Sequence, residues 1–458
     1  MKKWLFTVLA GVLAGMTFVP AHAQDDAEKQ FDFNGMVRAR YEYLNNYLDL
    51  QDNDRSGGPN DDSFANTPYR VMVGMTGTFA KNVSAHVDLQ YIGHFGDEFN
   101  PSKDNPFFNN FPPPVGQSDA SRQFTTQGVQ LYQGWVEMAK IFGSDVSVKI
   151  GRQEHTYGTE LFLGDNDYYS GLSFDGVRGQ WKHNHNDLNF FYYKVSENNC
   201  FSPCFGISGS SDSNLWGATY DWTFDSMGTV GGYVLVAQDL GGDGPIGFPD
   251  SSITTYGARW NRGMMKDDKL NMFDWNIEAA AQTGDLADPA GFSPAIDLSS
   301  VVVEGWFGFN FNAGESHGRA HIGFLSTSGD DSSTIDKDEG FWSLYGDFHA
   351  NNRFGDLDWW DTVSGGPHNM TDINVGYDHW FGDAHHVWFA YHMIGLTEDN
   401  SAPTGDKIGD EIDLGYGYQY SKNLSFDVFI GQLAADDDQF GFSTDPVQRA
   451  SIQAHLVW

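Results

Sequence analysis

Apolar and polar side chains alternate along the last twelve residues of the chain, 447–458. Side chains two residues apart share one face of a β-strand. Such a strand suits a boundary between lipid and a polar interior, and an aromatic final residue is typical of outer-membrane barrels. The last strand of a soluble sandwich is the alternative explanation. The apolar face holds Ala450, Ile452, Ala454, Leu456 and Trp458, and the polar face holds Arg449, Ser451, Gln453 and His455.

The same two-residue period recurs in strand-length segments throughout the chain. In 70–79 it predicts that Val71 and Val73 point outward and Arg70 inward, and in 271–282 that Asp274 and Glu278 point inward. A charged side chain facing lipid costs about 2–4 kcal/mol near the midplane for Arg or Lys, so the period has energetic weight.

Two segments depart from the alternation. The segment 187–195 has aromatic side chains on both faces. The segment 172–181 places Asp175 on the same face as Val177 and Trp181. A β-bulge within 172–181 would restore the alternation and turn Asp175 inward. The sequence therefore predicts a bulge there.

Two kinds of connection separate these segments and strictly take turns. Eight are very short, and nine are long and rich in Asp, Asn, Gly and Pro. They join eighteen strands, and an even number with short periplasmic turns and long outer loops is typical of a closed barrel. The predicted fold is an all-β, antiparallel, up-and-down transmembrane barrel. Its long outer loops are 49–66, 96–124, 154–170, 197–211, 240–251, 284–296, 330–369, 397–406 and 435–445.

The beginning of the chain predicts export. Lys2 and Lys3 precede an apolar run that ends before Pro20, and Ala21-His22-Ala23 follows as a small-residue cleavage site. This is the pattern of a secretory signal peptide. We therefore expect residues 1–23 to be removed and residues 24–458 to form the barrel, which places the protein in the bacterial outer membrane.

The charge balance excludes one class of partner and raises the question of cations. The chain has 62 Asp and Glu against 26 Lys and Arg, a formal net charge of −36. So acidic a chain is no natural ligand for nucleic acid. At 15% aromatic residues it carries too much apolar surface for a disordered protein. No cofactor is expected, although calcium on the acidic outer loops or on neighbouring lipopolysaccharide fits the excess of carboxylates.

The cysteines are candidates for a disulfide, and a group of histidines is a candidate metal site. Cys200 and Cys204 are the two cysteines, and in an exported chain they are expected to form a disulfide within one loop. A metal site there would need two more ligands. His379, His385 and His386 crowd one short turn, where a metal site is the alternative to a polar turn without function.

The two-residue period, which assigns every second side chain to the inward face, also predicts that both acidic and basic residues line the lumen. An eighteen-stranded barrel has room for an aqueous channel unless loops fill it. We expect arginines and carboxylates to face each other there and to shape selectivity. The inward basic residues are Arg38, Arg40, Arg70, Lys149, Arg178, Arg259, Arg319 and Arg449, and the inward acidic residues are Glu42, Asp88, Asp274, Glu278, Glu304, Asp378, Glu411, Asp413 and Asp427.

One family resemblance is carried by segments in the middle and last third of the chain. The segments 151–158, 164–168, 173–178, 345–355 and 408–418 resemble the alginate export family of outer-membrane proteins. The resemblance implies an eighteen-stranded monomeric barrel that exports an anionic polysaccharide through an arginine-rich constriction. It also implies that Arg152, Asp175 and Arg178 contribute to that constriction. The acids of the predicted lining depart from this pattern.

Together these observations predict an outer-membrane channel for passive diffusion or export of a small polar or saccharide solute, alginate among them. The expected partners are the outer membrane, lipopolysaccharide and the barrel-assembly machinery that meets the last strand. The expected protein is a monomer and not an enzyme. Two alternatives remain: a surface adhesin or receptor with a closed lumen, and an outer-membrane hydrolase, for which the chain has no Gly-x-Ser-x-Gly motif.

Overall fold

The structure is a computed structural model that describes most of the chain after residue 29. The predicted signal peptide, both cysteines and the aspartates of 49–62 lie outside the described residues, so the predictions made for them stay predictions. The described residues are 30–46, 50, 63–95, 129–165, 167–168, 170–196, 213–224, 226–239, 251–266, 269–286, 295–331, 333–334, 336–347, 367–398, 406–440 and 444–458.

Eighteen long strands, β1 to β18, form one closed antiparallel barrel. Each pairs with its neighbours in sequence, and the first pairs with the last from Met36↔Val457 to Asn45↔Gln448. The predicted fold and strand number are confirmed. In order the strands are Gln30–Asn45, Pro68–Ala80, Val83–His94, Gln130–Met138, Val146–Gln153, Phe174–His183, Asn186–Ser196, Ser213–Phe224, Gly228–Asp239, Ser251–Arg262, Phe273–Leu286, Ile296–Ala313, Ser316–Thr327, Thr371–Phe381, His385–Gly395, Lys407–Ser421, Leu424–Ala435 and Val447–Val457.

Small elements accompany the barrel. They are the α-helix Asp437–Phe440, the 3₁₀ turn Ile141–Gly143, and the short strands Phe64–Asn66, Met265–Lys266, Lys269–Leu270 and Lys337–Asp338. Within the part of the chain that the structure describes, no helix is both long and apolar enough to cross a membrane.

The alternation of the strands is confirmed in β18. Ile452 is 57% exposed on the outer surface, whereas Arg449 is 4% exposed and faces the lumen. Trp458 continues the pairing, since its N–H and C=O exchange hydrogen bonds of 3.1 Å with Gly35. Closure through the last strand leaves no free sheet edge, which satisfies the backbone groups that lipid cannot.

The predicted bulge near Asp175 is wrong. β6 pairs with β5 in unbroken register from Phe174 to Trp181, and with β7 from Asp175 to His183. The side chain of Asp175 therefore stays on the outward face with Val177. Ion pairing outside the barrel, described below, is what makes that position tolerable for a carboxylate.

The main apolar core lies inside the lumen. Inward side chains of several strands, such as Leu215, Tyr233, Leu235 and Ile253, are at most 5% exposed. They pack in one buried cluster with Leu161, Phe162, Leu163, Phe341 and Tyr345, which belong to two loop segments. This buried cluster also explains why β7 has aromatic side chains on both faces. Phe191 and Tyr193 face the cluster, while Phe190 and Tyr192 are exposed on the outer surface.

Candidate functional site

The described part of the connection between β5 and β6 folds into the barrel, and we call its residues 154–165, 167–168 and 170–171 the lumen loop. Its segment Leu161 to Leu163 is at most 2% exposed. The connection joins its two strands at the predicted outer end of the barrel, but it folds back into the lumen instead of extending outward. Apolar side chains on the inward faces of the strands give the loop a surface to bury, which a purely polar lumen would not.

Glu278 of β11 anchors one side of the lumen loop. Its carboxylate accepts hydrogen bonds from the Thr159 N–H at 2.9 Å, the Thr159 hydroxyl at 3.1 Å and the Tyr233 hydroxyl at 2.6 Å. Gly158 beside it has a φ of +68°, and a Cβ there would lie 2.4 Å from the same carboxylate. Glu278 thus faces inward as predicted, but it lies under the loop.

Arg259 fixes the start of the same turn. Its guanidinium binds both carboxylate oxygens of Asp221, at 2.7 and 3.1 Å. The hydroxyl of Tyr157 donates to Asp221 at 2.9 Å, and the Arg259 guanidinium lies 4.7 Å from the Tyr157 ring centre. The predicted lumen residue Arg259 therefore holds the loop as part of a paired group.

A second segment, residues 339–347, packs beside the lumen loop. The Gly164 N–H donates to the Tyr345 carbonyl at 2.9 Å, and the Asp347 N–H donates to the Glu160 carbonyl at 2.9 Å. Gln282 of β11 holds this segment at Trp342 through hydrogen bonds of 2.7 and 2.9 Å. Both segments thus form one insertion inside the barrel.

The opposite side of the lumen loop meets a group of arginines. Arg38 of β1 and Arg70 of β2 both bind the carboxylate of Asp167, the first at 3.2 Å. Arg38 also donates to the Asp167 carbonyl at 2.5 Å, and Arg70 donates to Gln90 at 3.0 Å. One loop carboxylate therefore balances two lumen guanidinium groups.

Tyr168 of the loop meets two further arginines. The Arg40 guanidinium lies 3.6 Å from the centre of its ring, a distance suited to a cation–π interaction. Arg449 of β18 donates to the Tyr168 hydroxyl and, at 2.9 Å, to the Glu42 carboxylate. We call Arg38, Arg40, Arg70 and Arg449 the arginine wall.

The loop contributes another acid near this wall. Glu154 accepts hydrogen bonds from the Tyr132 hydroxyl and, at 2.9 Å, from the Gln133 side chain. Burial is the largest influence on it and raises the pKa of the Glu154 carboxyl. The wall and the loop thus present cations and carboxylates at close range across the narrowed lumen.

Three loop carboxyl groups meet inside the barrel. Oxygens of Glu160, Asp165 and Asp347 lie within 4.8 Å of one another, which makes them the one such group of potential metal ligands among the described residues. Burial, followed by the neighbouring carboxylates, raises the pKa of Asp165 to about 7. Carboxylate oxygens are ligands that calcium prefers. The histidines of 379–386 form no comparable group in the described chain.

The remaining predicted residues of the lining face inward, where several are paired. Asp274 binds Arg319 at 2.7 and 3.0 Å. Glu411 and Asp413 are at most 1% exposed, and the Asp413 carboxylate lies 4.0 Å from His392. Arg178 lies across from Lys149 in the register of β5 and β6.

The inferred role of Arg152 and Asp175 in the constriction is corrected by the structure. Their side chains point outward, on the faces of Ile150 and Val177, and bind each other at 2.5 and 2.9 Å. Neither belongs to the arginine wall. The family resemblance supplied these two positions. A strict two-residue period puts Asp175 on the outward face, but the predicted bulge would have turned it inward, and that bulge is absent.

The sequence predictions missed Glu154, Asp167 and Tyr168 as lumen residues. They lie in a connection that was assigned to the outside by its length and composition. One local signal existed, namely the apolar run Leu161-Phe162-Leu163 within an otherwise polar loop. A loop that leaves three large apolar side chains in water would be unusual among long, polar connections.

Comparison with known proteins identifies the family. A family model described as alginate export matches residues 30–376, more than half of the chain. No curated protein sequence is significantly similar to the chain.

Solved structures with the same fold come from Pseudomonas aeruginosa. The outer membrane protein OpdK is 14% identical, with a TM-score of 0.55 over 94% of this chain and 99% of its own. OccK2 (OpdF) is 12% identical, with a TM-score of 0.55 over 93% of this chain and 97% of its own. Such low identity shows the fold alone, and it is the match to the family model that makes this protein a member of the alginate export family, a channel of the bacterial outer membrane.

Proposed function

We propose that this channel passes small solutes that carry hydroxyl and carboxylate groups, such as uronates and short saccharides, by passive diffusion. The arginine wall and the lumen loop form its constriction. The observation that carries the proposal is the sharing of one loop carboxylate, Asp167, by Arg38 and Arg70. A solute carboxylate can take the place of Asp167, because guanidinium groups bind carboxylates through paired hydrogen bonds.

The same arrangement argues for weak ion selectivity. An unbalanced arginine ring would attract all anions, but each carboxylate beside it cancels part of that field. Here Glu42 and Asp167 oppose the four arginines of the wall. Short-range hydrogen bonds therefore choose the solute more than long-range charge does. Alginate itself, a polyuronate, is then one substrate among several, and the concentration gradient sets the direction of transport.

Two structural neighbours support a carboxylate-bearing solute. One structure of OccK2 (OpdF) is in complex with glucuronate. One structure of OpdK is with vanillate. Both ligands carry a carboxylate on a ring, and a carboxylate is the group that the guanidinium groups of the arginine wall bind.

The proposed setting of the channel follows from its closed barrel. A barrel without a free edge has no need of a second copy, so we propose a monomer. Lipopolysaccharide and the barrel-assembly machinery remain proposed partners, and the acidic loops and the group around Asp165 remain candidate calcium ligands. The family is one of channels, and the absence of enzymatic activity is part of the proposal.

One observation favours the alternative of a receptor with a closed lumen. Arg38, Arg40, Arg70 and Tyr168 border a gap of only about 10 Å³. That is room for about one water molecule. If the rest of the constriction were equally tight, ligands would bind the outer surface and would not pass.

Single-channel recording in planar bilayers separates the two. The channel proposal predicts steady open currents that glucuronate reduces in a concentration-dependent way. Protein that resists detergent and shifts its gel mobility on boiling, yet conducts nothing, would favour the closed receptor instead.

A further inference from the structure

A cavity of about 450 Å³ lies inside the barrel, away from the arginine wall. Inward side chains of β10 to β15 line it, and its volume falls in the range of small-molecule sites, roughly 300–1,000 Å³. Asn276, one of its lining residues, precedes the loop anchor Glu278 by two residues on the same face of β11, about 7 Å nearer the periplasmic turns. The cavity is thus on the periplasmic side of the lumen loop.

Trp306 of β12 presents an indole ring to this cavity. Within the described chain no aromatic ring stacks on it and its N–H donates no hydrogen bond. The other inward tryptophans of the cavity are occupied. Trp380 lies between two histidine rings, with centroids 4.5 and 4.4 Å away, and Trp388 stacks on Phe429 at 5.9 Å.

Asn276 stands directly across from Trp306 in the antiparallel register of β11 and β12. It is 8% exposed, and its side-chain oxygen has no hydrogen-bond partner among the described residues. Leaving a buried amide oxygen unpaired is costly, so such atoms usually have a partner. An unpaired acceptor beside an unstacked indole therefore points to a ligand with both a hydroxyl donor and an apolar face.

The charged residues around the cavity favour a neutral ligand over an anionic one. Its lining includes the carboxylates of Glu304 and Asp378. Its inward cation Arg319 is held by Asp274 at 2.7 Å and lies 3.6 Å from Asp378. An anionic ligand would add negative charge beside these carboxylates and would find Arg319 already paired with two of them, whereas a neutral ligand would not.

We propose that Trp306 and Asn276 form a second, periplasmic subsite that binds a neutral pyranose ring. The C–H face of the sugar lies on the indole, and a sugar hydroxyl donates to the Asn276 side-chain oxygen. This subsite rests on the proposed transport of saccharide-like solutes and adds a substrate class to it. A mixed oligosaccharide would place an acidic unit at the arginine wall and a neutral unit here.

Block of the open channel by cellobiose, a neutral disaccharide, tests the subsite. Cellobiose added on the periplasmic side should reduce the current through the wild-type channel. Trp306→Ala should weaken this block about tenfold, because the stacking energy of one aromatic ring is lost. Trp306→Phe should keep most of it, and Asn276→Ala should weaken it separately. Block by glucuronate should be unchanged in all three variants.

Trp135→Ala is the matched control. Trp135 also faces the lumen, but its ring stacks on His86 at 5.1 Å and lies 4.0 Å from the Lys149 ammonium. Its removal widens the lumen by the same volume without removing a free ring, so cellobiose should block this variant as it blocks the wild type. Heat-modifiable gel mobility confirms that each variant has folded.

Calorimetric titration of cellobiose into the detergent-solubilised protein keeps the test independent of conduction. Equal cellobiose affinity in wild type and Trp306→Ala, or no affinity in either, would overturn the subsite. A channel that glucuronate blocks but cellobiose does not bind would overturn the subsite and leave the proposed function standing. Cellobiose binding by protein that conducts nothing would do the reverse.

Discussion

The lumen loop has two flanks that are held in different ways. On one flank Phe162 is 2% exposed and packs against Tyr233 and Phe341, with ring centroids 5.9 and 5.5 Å away. On the other flank Asp167 binds Arg38 and Arg70, but its own side chain is 43% exposed. The apolar flank is closed off from water, whereas the charged flank is open to it.

The free energies of these two kinds of contact indicate that the two flanks have different roles. Burying a side chain such as Phe contributes about 1.5–3 kcal/mol. A fully exposed ion pair contributes about 0–1 kcal/mol. Here only the carboxylate is exposed, since the side chains of Arg38 and Arg70 are 9% and 1% exposed, so these arginines need a carboxylate partner, which a solute can supply in place of Asp167. The apolar flank therefore holds the loop in place, and the charged flank can exchange its internal carboxylate for that of a solute without releasing the loop.

The largest effect is expected from removing the apolar attachment. Phe162→Ala should cost about 3–5 kcal/mol of packing. That is enough to change the population of attached loop by a factor of about 100 or more. The loop should leave the lumen, and the mean single-channel conductance should rise well above that of the wild type.

Phe190→Ala provides the control for this comparison. Phe190 lies on β7 with its ring 59% exposed on the outer surface, so its removal changes no lumen contact. Its conductance should match the wild type. A Phe162→Ala channel with wild-type conductance would contradict the assignment of the apolar flank as the anchor.

A smaller effect is expected from pH. Burial and nearby carboxylates raise the pKa of Asp165 from 3.8 to about 7. An acid whose pKa is raised on folding stabilises the folded loop most at low pH, and this contribution is lost as pH rises from about 4 to 7. Current noise from loop motion should increase across that range, and Asp165→Asn should remove the increase. The same pH dependence in the variant would contradict this origin.

The smallest effect is expected from the outer ion pair. Arg152→Gln removes one charge of the pair with Asp175, both partners being well exposed outside the barrel. The reversal potential across a salt gradient should match the wild type, since neither residue faces the solute. A clear shift toward cations would mean that Arg152 contributes to the pore lining after all.

The barrel itself could be predicted from the sequence because each strand carries its own information. A lumen charge such as Arg449 and a lipid-facing residue such as Ile452 alternate wherever lipid and water lie on opposite sides. Exchanging the two faces of a strand would cost free energy within that strand, because its charged side chains would then face lipid. Eight short turns then fix the strand count.

The insertion could not be predicted in the same way because it depends on distant contacts. Thr159 meets Glu278, which is 119 residues away, and Asp167 meets Arg38, which is 129 residues away. The insertion is indicated in the sequence by apolar residues at positions that face the lumen, as at Leu215 and Leu235. Aromatics on both faces of β7 belong to the same signal, and a covered lumen explains them without a bulge.

The central claim is that Asp167 balances the arginine wall, and the reversal potential of Asp167→Asn tests it most directly. Removing this carboxylate frees the field of Arg38 and Arg70, so the channel should become clearly anion-selective. The change should fade at high salt, where the Debye length falls to about 3 Å at 1 M. Asp175→Asn removes an arginine-paired carboxylate from the outside and should change nothing. Unchanged selectivity in Asp167→Asn, or an equal shift in both variants, would contradict the account.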